Sequence, residues 1–340
     1  MTMHITTRTR VAALALAGAA ALTLASCGSE PQDGDALELI WAQPTPESMA
    51  YFPVIVAEEN GYFEDEGVAV EVAPASEDLP TSSLVASGSA DIAAASAGEI
   101  FFALASDPSL AVVYDATRLS PEGIVVPAGG DIVDVSGLDG ATIGISSDEE
   151  RALIASALDT AGLTLDDVTL VTVGGGGQVI ANELDGGQFD AFAGSVLDFA
   201  AVQAVGYELQ DITPESIAET PSGAFVIGEE ADDAAVEGFL RAVARGTDWG
   251  LQNPDELEQL LRERVPEEWE NEEVARSLFE FGLDGWSPRE GADYGQLDAE
   301  VWQETVQRLT DAGELTEEVD LDALLDDRFI APANDALGDE

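Results

Sequence analysis

The stretch LELIWAQPTPESMAYFPVIVAEENGYFEDEGVAVEVA, residues 37–73, contains a complete β-α-β unit written in side-chain chemistry. LELIWA, 37–42, and VAVEVA, 68–73, are short apolar runs that predict strands. Between them ESMAYFPVIVAEEN predicts a helix. Pro53 fits only in its first turn, where the missing N–H costs nothing, and Gly61 provides its stop. GYFEDEG then turns the chain. Gly61 and Gly67 permit positive φ at its two ends, while Tyr62 and Phe63 staple the turn to the sheet.

The same grammar extends outward. SSLVASGS predicts a helix, ADIAAAS a buried strand with Asp91 bonding backbone amides at its turn, AGEIFFALAS a helix and LAVVYDA a strand. EGIVVP, 122–127, reads as a β-rich crossing into a second block. There ATIGIS, VTLVTV and DAFAG predict strands, and EERALIASALDTAG, QVIANELDGG and VLDFAAVQAVG predict helices. Strands alternating with helices argue for parallel sheets covered on both faces. After GAFVIG, 223–228, the pattern changes to three- and four-residue apolar spacing, in DAAVEGFLRAVARGTDWGLQN, DELEQLLRERV, EEVARSLFEFG and AEVWQETVQRLTDAG, so the C-terminal part is helical. Phe101, Phe102, Tyr114, Phe192 and Phe225 fall at core positions by periodicity.

Composition narrows the chemistry. The 340 residues carry 68 acidic and 12 basic side chains, a formal net charge of −56, and every basic residue is arginine. Such a surface repels phosphate backbones and anionic headgroups, so nucleic acid is not an expected partner. The absence of lysine excludes a Walker A loop, a Schiff base and a Ser-Lys dyad. The single histidine, His4, lies in a removable leader, and the single cysteine, Cys27, borders it. The remaining chain therefore holds no Ser-His-Asp or Cys-His set and no zinc site of the usual kind. No catalytic residue, metal or cofactor is expected, although abundant carboxylates leave a hydrolase or an oxygen-ligated calcium site open.

The leader reads as an address. MTMHITTRTR carries Arg8 and Arg10 without an acid, and VAALALAGAAALTL follows as an apolar run. As a helix that run would reach about 21 Å, short of the ~30 Å hydrocarbon core. Leu24-Ala25-Ser26-Cys27 resembles the bacterial lipobox, whose cysteine is diacylated before cleavage. Residues 1–26 are thus expected to be a lipoprotein signal peptide, Cys27 the lipid attachment, and 27–36 a polar tether. This places the protein on the outer face of the cytoplasmic membrane.

WAQPTP followed by AYFPVIVAEENGYFEDEGVAVEV is similar to the opening of the SsuA/THI5-like, or NMT1-type, substrate-binding proteins of ABC importers. SLVASGSADIAAASAGE, DVSGLDGATIGISS, LDDVTLVTVGGGG and LDGGQFDAFAGS continue the resemblance through residues 37–330. It implies an α/β fold of the type II periplasmic-binding-protein kind, with two lobes and two crossings near 119–123 and 221–224. Lobe I would take 37–120 and 224–330, lobe II 121–223, and 331–340 would form a flexible tail. The ligand would lie between the lobes at strand C-termini and helix N-termini.

Carried over by position, the resemblance puts pocket candidates at Trp41, Gln43, Pro44 and Thr45, and at Ser96, Ala97, Gly98 and Glu99. In the second lobe they fall at Ser146, Ser147, Gly175, Gly176, Ser195 and Asp198. Trp41 would stack on a ring, whereas the serines also suit helix caps. The GGGG run, 174–177, lacks the Lys-Ser/Thr of a phosphate loop and reads as a strand-to-helix connection. Arg118, the only basic residue between Val11 and Glu150, suits either a salt bridge or a bidentate fork for an anionic ligand. The implied function is a monomeric, lipid-anchored receptor that delivers a small molecule to an ABC permease and its ATPase, with a thiamine-precursor-like pyrimidine or other heterocycle favoured as ligand. Alternatives on the same fold are an alkanesulfonate, nitrate or similar anion, or a sensory domain without transport. The THI5-type pyrimidine synthase relies on a histidine and cysteines that this chain lacks beyond its leader.

Overall fold

A computed structural model describes residues 36–44, 47–73, 80–105, 107–147, 150–311, 315–316, 318–335 and 337. The leader, Cys27, nearly all of the tether and Thr45 lie outside the described residues. The chain forms β1 (Leu37–Ala42), α1 (Phe52–Glu59), α2 (Tyr62–Asp65), β2 (Val68–Val72), α3 (Thr81–Ala86), β3 (Ile92–Ala95), α4 (Ala97–Leu104) and β4 (Ala111–Thr117). It continues through β5 (Glu122–Pro127), β6 (Thr142–Ile145), α5 (Glu150–Thr160), β7 (Thr169–Thr172), α6 (Gly177–Asp185), β8 (Ala191–Ser195), α7 (Val196–Gln203), β9 (Leu209–Asp211) and α8 (Glu215–Ala218). The last part is β10 (Gly223–Ile227) followed by α9 (Asp233–Gln252), α10 (Pro254–Arg264), α11 (Glu272–Trp286), α12 (Ala299–Asp311), α13 (Leu321–Leu324) and α14 (Ile330–Asp335).

Two five-stranded sheets result, ordered β2-β1-β3-β10-β4 and β7-β6-β8-β5-β9. They share one plan. In each, the first three strands run parallel, and the strand that has just crossed from the other lobe inserts antiparallel between the third strand and the edge. EGIVVP is therefore β5, a central strand of the second sheet, and not a free crossing. Its burial on both faces explains the unbroken Ile-Val-Val run.

Side-chain alternation sends each strand into two cores. In β1, Leu39 and Trp41 face one core while Ala42 faces the other; in β10, Phe225 and Ile227 oppose Ala224 and Val226. The second sheet divides in the same way, with Ile124 and Val126 on one face and Val125 with Phe192 on the other.

The opening unit forms its β-α-β path as predicted, except that Tyr62 and Phe63 staple the turn to α9 and not to the sheet. Pro53 stands in the first turn of α1, and Gly61 and Gly67 have φ of 73° and 69°. Phe63 stacks on Phe239 at 5.3 Å, and the Arg245 guanidinium lies 4.0 Å from the Tyr62 ring. Asp91 accepts the Ile40 N–H at 2.7 Å, tying the start of β3 to β1. The long α9, capped by Asp232 on the amides of Ala234 and Ala235, lies flush on α1 because Gly246 has no Cβ. An added one would sit 2.2 Å from the Pro53 carbonyl oxygen.

Two expectations are corrected. Phe102 is 73% exposed, because the inward face of α4 is already taken by Ile100, Phe101 and Ala103. Residues 331–335, within the stretch expected to be a flexible tail, belong to α14, which buries Ile330 and Ala333 against α9. Among the described residues no helix is long and apolar enough to cross a membrane.

Candidate functional site

The chain passes between the lobes twice, after β4 and before β10, and the two crossings are bonded to each other. Ser120 N–H donates to Ala218 O at 2.7 Å, Ser222 N–H to Thr117 O at 3.1 Å, and the Ser222 hydroxyl to Leu119 O at 2.6 Å. Above this double crossing lies a cleft of about 550 Å³. Its lobe I wall is Ser96, Ala97 and Gly98 at the start of α4 together with Thr305, Arg308 and Leu309 of α12. The lobe II wall is Ala152, Leu153 and Ser156 of α5 with Ile217 of α8, and the floor is residues 120–122 and 220–222. The size suits a small organic molecule.

One helix N-terminus, that of α4, lines this cleft; the starts of α5 and α7 lie in lobe II outside its lining, and each of the three is closed by its own acid. Ser96 N–H and Oγ–H donate to Glu99 Oε2 at 3.0 and 3.3 Å, and the Glu99 N–H returns to Ser96 Oγ. Ser195 and Asp198 repeat this capping box at α7, with 3.2 and 2.8 Å. Ser147 N–H and Oγ–H donate to Glu150 Oε2 at 2.9 and 3.0 Å at the start of α5. Helix starts normally attract anions. Here carboxylates occupy all three, so the amide dipoles are already answered and the local field opposes a further negative charge.

The predicted residues separate into distinct groups. Ser96, Ala97 and Gly98 line the cleft, Glu99 caps its wall, and Ser195 is the register partner of the lining residue Glu122. Trp41 is not a stacking surface. It is fully buried among Phe225, Phe239 and Tyr51, and its Nε1–H donates to Gln43 Oε1 at 3.0 Å, so Gln43 is buried with it. Pro44, Ser146, Ser147, Gly175 and Gly176 are exposed and do not line the cleft.

The glycine run is structural. Gly176 holds φ of 99°, and a Cβ on Gly177 would lie 1.9 Å from Ala201 O on α7.

Arg118 takes the salt-bridge alternative, which corrects its placing among the ligand contacts. Its Nη1 donates to Glu219 at 2.9 Å, its Nη2 to Asp284 at 2.8 Å and its Nε to Ser287 O at 3.1 Å. Arg289 joins Glu219 from the other side at 3.1 Å. The fork therefore grips the second crossing and the end of α11 instead of facing the cleft. Charge-assisted bonds in a half-buried setting are stronger than surface pairs, so this clasp fixes how the crossings meet lobe I.

Sequence reasoning missed the walls supplied by α5 and α12. Their apolar spacing predicted helices, but which lobe each helix faces depends on strand order.

Asp115 on β4 lies beneath the clasp. It is half-buried with Oδ1 shielded from solvent; Oδ2 accepts the Trp302 Nε1–H at 3.3 Å, and Oδ1 has no partner among the described residues. Burial pushes its carboxyl up to about 7, opposed by the Trp302 bond and the Arg289 charge and reinforced by Asp298. Tyr51, beside Trp41, is also raised, by burial and then by the Glu99 charge.

The chain belongs to the NMT1/THI5-like family, whose model matches residues 48–257. The formylaminopyrimidine-binding protein of Halalkalibacterium halodurans is 24% identical over 309 residues, which cover 85% of this chain and 90% of that protein. Among solved structures, the periplasmic sulfonate-binding protein SsuA of Methylobacillus flagellatus KT superposes with a TM-score of 0.67 at 20% identity, covering 89% of this chain and 95% of its own. The desulfurization enzyme DSZB matches with a TM-score of 0.58 at 17% identity, covering 87% and 98%.

A carboxyl that binds its proton more tightly folded than unfolded stabilises the fold at low pH. Asp115 therefore contributes fully below about 4, and that contribution is lost as pH rises through about 7. Asp115→Asn is expected to be as stable as wild type at pH 4 and more stable by on the order of 1–4 kcal/mol at pH 8. Urea unfolding across this range checks it, and a difference that does not vary with pH contradicts it.

Proposed function

We propose that the protein is an extracytoplasmic solute-binding component of an ABC importer that closes two lobes over a neutral, amino-bearing heterocycle of the pyrimidine class. The observation that carries the ligand class is the acid-closed start of α4 on the cleft wall, a device repeated at the starts of α5 and α7 in lobe II. The helix start on the cleft wall offers an anion no open end, because Glu99 already closes it, while Arg118, the residue best suited by sequence to hold an anion, is committed to Glu219 and Asp284. Amino groups on a ring, by contrast, are donors that carboxylates accept. The curated relative named for a formylaminopyrimidine supports the same choice.

Binding without catalysis fits the residues on the cleft walls, which are hydroxyls, small apolar side chains, Glu122 and Arg308. DSZB demonstrates that this fold also serves an enzyme, so the proposal rests on the absence of histidine and cysteine from this chain beyond Cys27. Delivery to a permease follows from family membership, and attachment through a lipid on Cys27 from the Leu-Ala-Ser-Cys order.

A melting-temperature panel of aminopyrimidines, alkanesulfonates and nitrate tests the ligand class. A pyrimidine at 100 times its dissociation constant should add about 2.7 kcal/mol of stability. A shift with a sulfonate or nitrate alone would transfer the assignment to the anion class, and silence across the panel would remove it. For the anchor, Cys27→Ala is expected to move the protein from the membrane fraction to the soluble one; unchanged membrane retention contradicts lipidation.

A further inference from the structure

On its lobe I side the cleft continues into a second cavity, of about 430 Å³. Gly98 near the start of α4 and Leu309 near the end of α12 line both, so the two spaces meet between these residues. The second cavity is a groove along α4. Residues three and four apart share a helix face, so Phe101 and Phe102 follow Gly98 in line. The rest of the apolar lining comes from Ala105, Leu309 and Leu315, and the Leu315 N–H fixes the last two together by donating to Leu309 O at 3.1 Å. Thr316 is the one polar side chain among the lining residues.

Two residues on this path do nothing for the fold. Phe102 keeps 73% of its surface exposed, while its neighbour Phe101 is buried edge-on against Trp302. Leaving a phenyl ring in water forgoes the stabilisation that burial would bring. Gly98 is the second. It lies inside α4, where glycine is less favourable than alanine. Its φ is not left-handed, and an added Cβ would meet no atom within 4 Å among the described residues. Gly177 and Gly246 are required by backbone atoms that a Cβ would strike; Gly98 is not. What its missing side chain does is keep the passage between cleft and groove open.

We infer that Gly98 is the doorway to an apolar subsite, and that the ligand held in the cleft extends an apolar arm past it to lie against Phe102, Leu309 and Leu315. The two ends of such a ligand differ. Five hydroxyl-bearing residues, Ser96, Ser120, Ser156, Thr220 and Ser222, suit a polar head in the cleft, whereas the groove suits a hydrocarbon or aryl arm. One turn of α4 separates Gly98 from Phe102, about 6 Å along the helix, which a pentyl arm spans. The inference rests on the binding role proposed above and adds the chemistry of the part of the ligand that role leaves undefined.

Calorimetry on the mature protein with two probes tests it: 4-amino-2-methylpyrimidine bearing a 5-methyl group, and the same ring bearing a 5-pentyl arm. The readout is the ratio of the two affinities, in which a general loss of binding or of folded protein cancels. Wild type is expected to favour the pentyl compound by about tenfold or more, since four methylenes leave water for a partly open groove. Gly98→Val should bring the ratio close to one by filling the doorway, Gly98→Ala should leave it intermediate, and Phe102→Ser should lower it from the far end. Equal affinities in wild type overturn the inference while leaving the binding role intact, and so does a preference that survives either Gly98→Val or Phe102→Ser. Wild type that binds neither probe overturns the binding role and the inference together.

Discussion

The arrangement depends on two short crossings that run side by side and bond to each other. Thr117, Leu119 and Ser120 on the first meet Ala218 and Ser222 on the second. Arg118 and Arg289 then grip Glu219 between them. Paired strands of this kind bend more readily than they separate, which is what a hinge between two rigid bodies requires. Everything on either side is a packed sheet with helices on both faces, so any relative motion of the lobes is concentrated here.

Topology and chemistry are linked through the same constraint. Because each crossing strand inserts antiparallel into its new sheet, the third parallel strand of both lobes, β3 and β8, ends beside the hinge. Both are followed at once by a serine that caps the next helix, with an acid three residues later. The repeated fold thus brings one acid-closed helix start, that of α4, to the cleft wall and a second, that of α7, beside the strand residue Glu122, and Ser147 with Glu150 adds a third in lobe II. A capping box adds only modest stability to each helix. It also leaves all three helix starts occupied by carboxylates.

Much of this was legible in the sequence. The β-α-β opening, its glycine turn and the change to helices after residue 228 follow from periodicity and from Gly and Pro placement, which are local. What failed was information held between distant residues. EGIVVP has the composition of a buried strand, but its insertion between β8 and β9 is a property of strand order. Trp41 abuts a pocket loop in sequence, yet strand alternation directs its ring into the core against Phe225 and Phe239. Arg118 stood out as an isolated cation, and its partners Glu219, Asp284 and Ser287 lie more than a hundred residues away. The capping serines were recognisable as caps; which of them stands on the cleft wall depended on the fold. Arg308 carried no signal beyond its place on an amphipathic helix.

The account's central claim is that the two lobes close on a ligand about the paired crossings. Interlobe distance measures this most directly. Spin labels at the exposed positions Val72 on β2 and Val179 on α6, in a chain with Cys27 replaced by serine, would report it by pulsed electron resonance. A ligand found to raise the melting temperature should narrow the distance distribution and shift its mean. An identical distribution with and without saturating ligand would contradict closure.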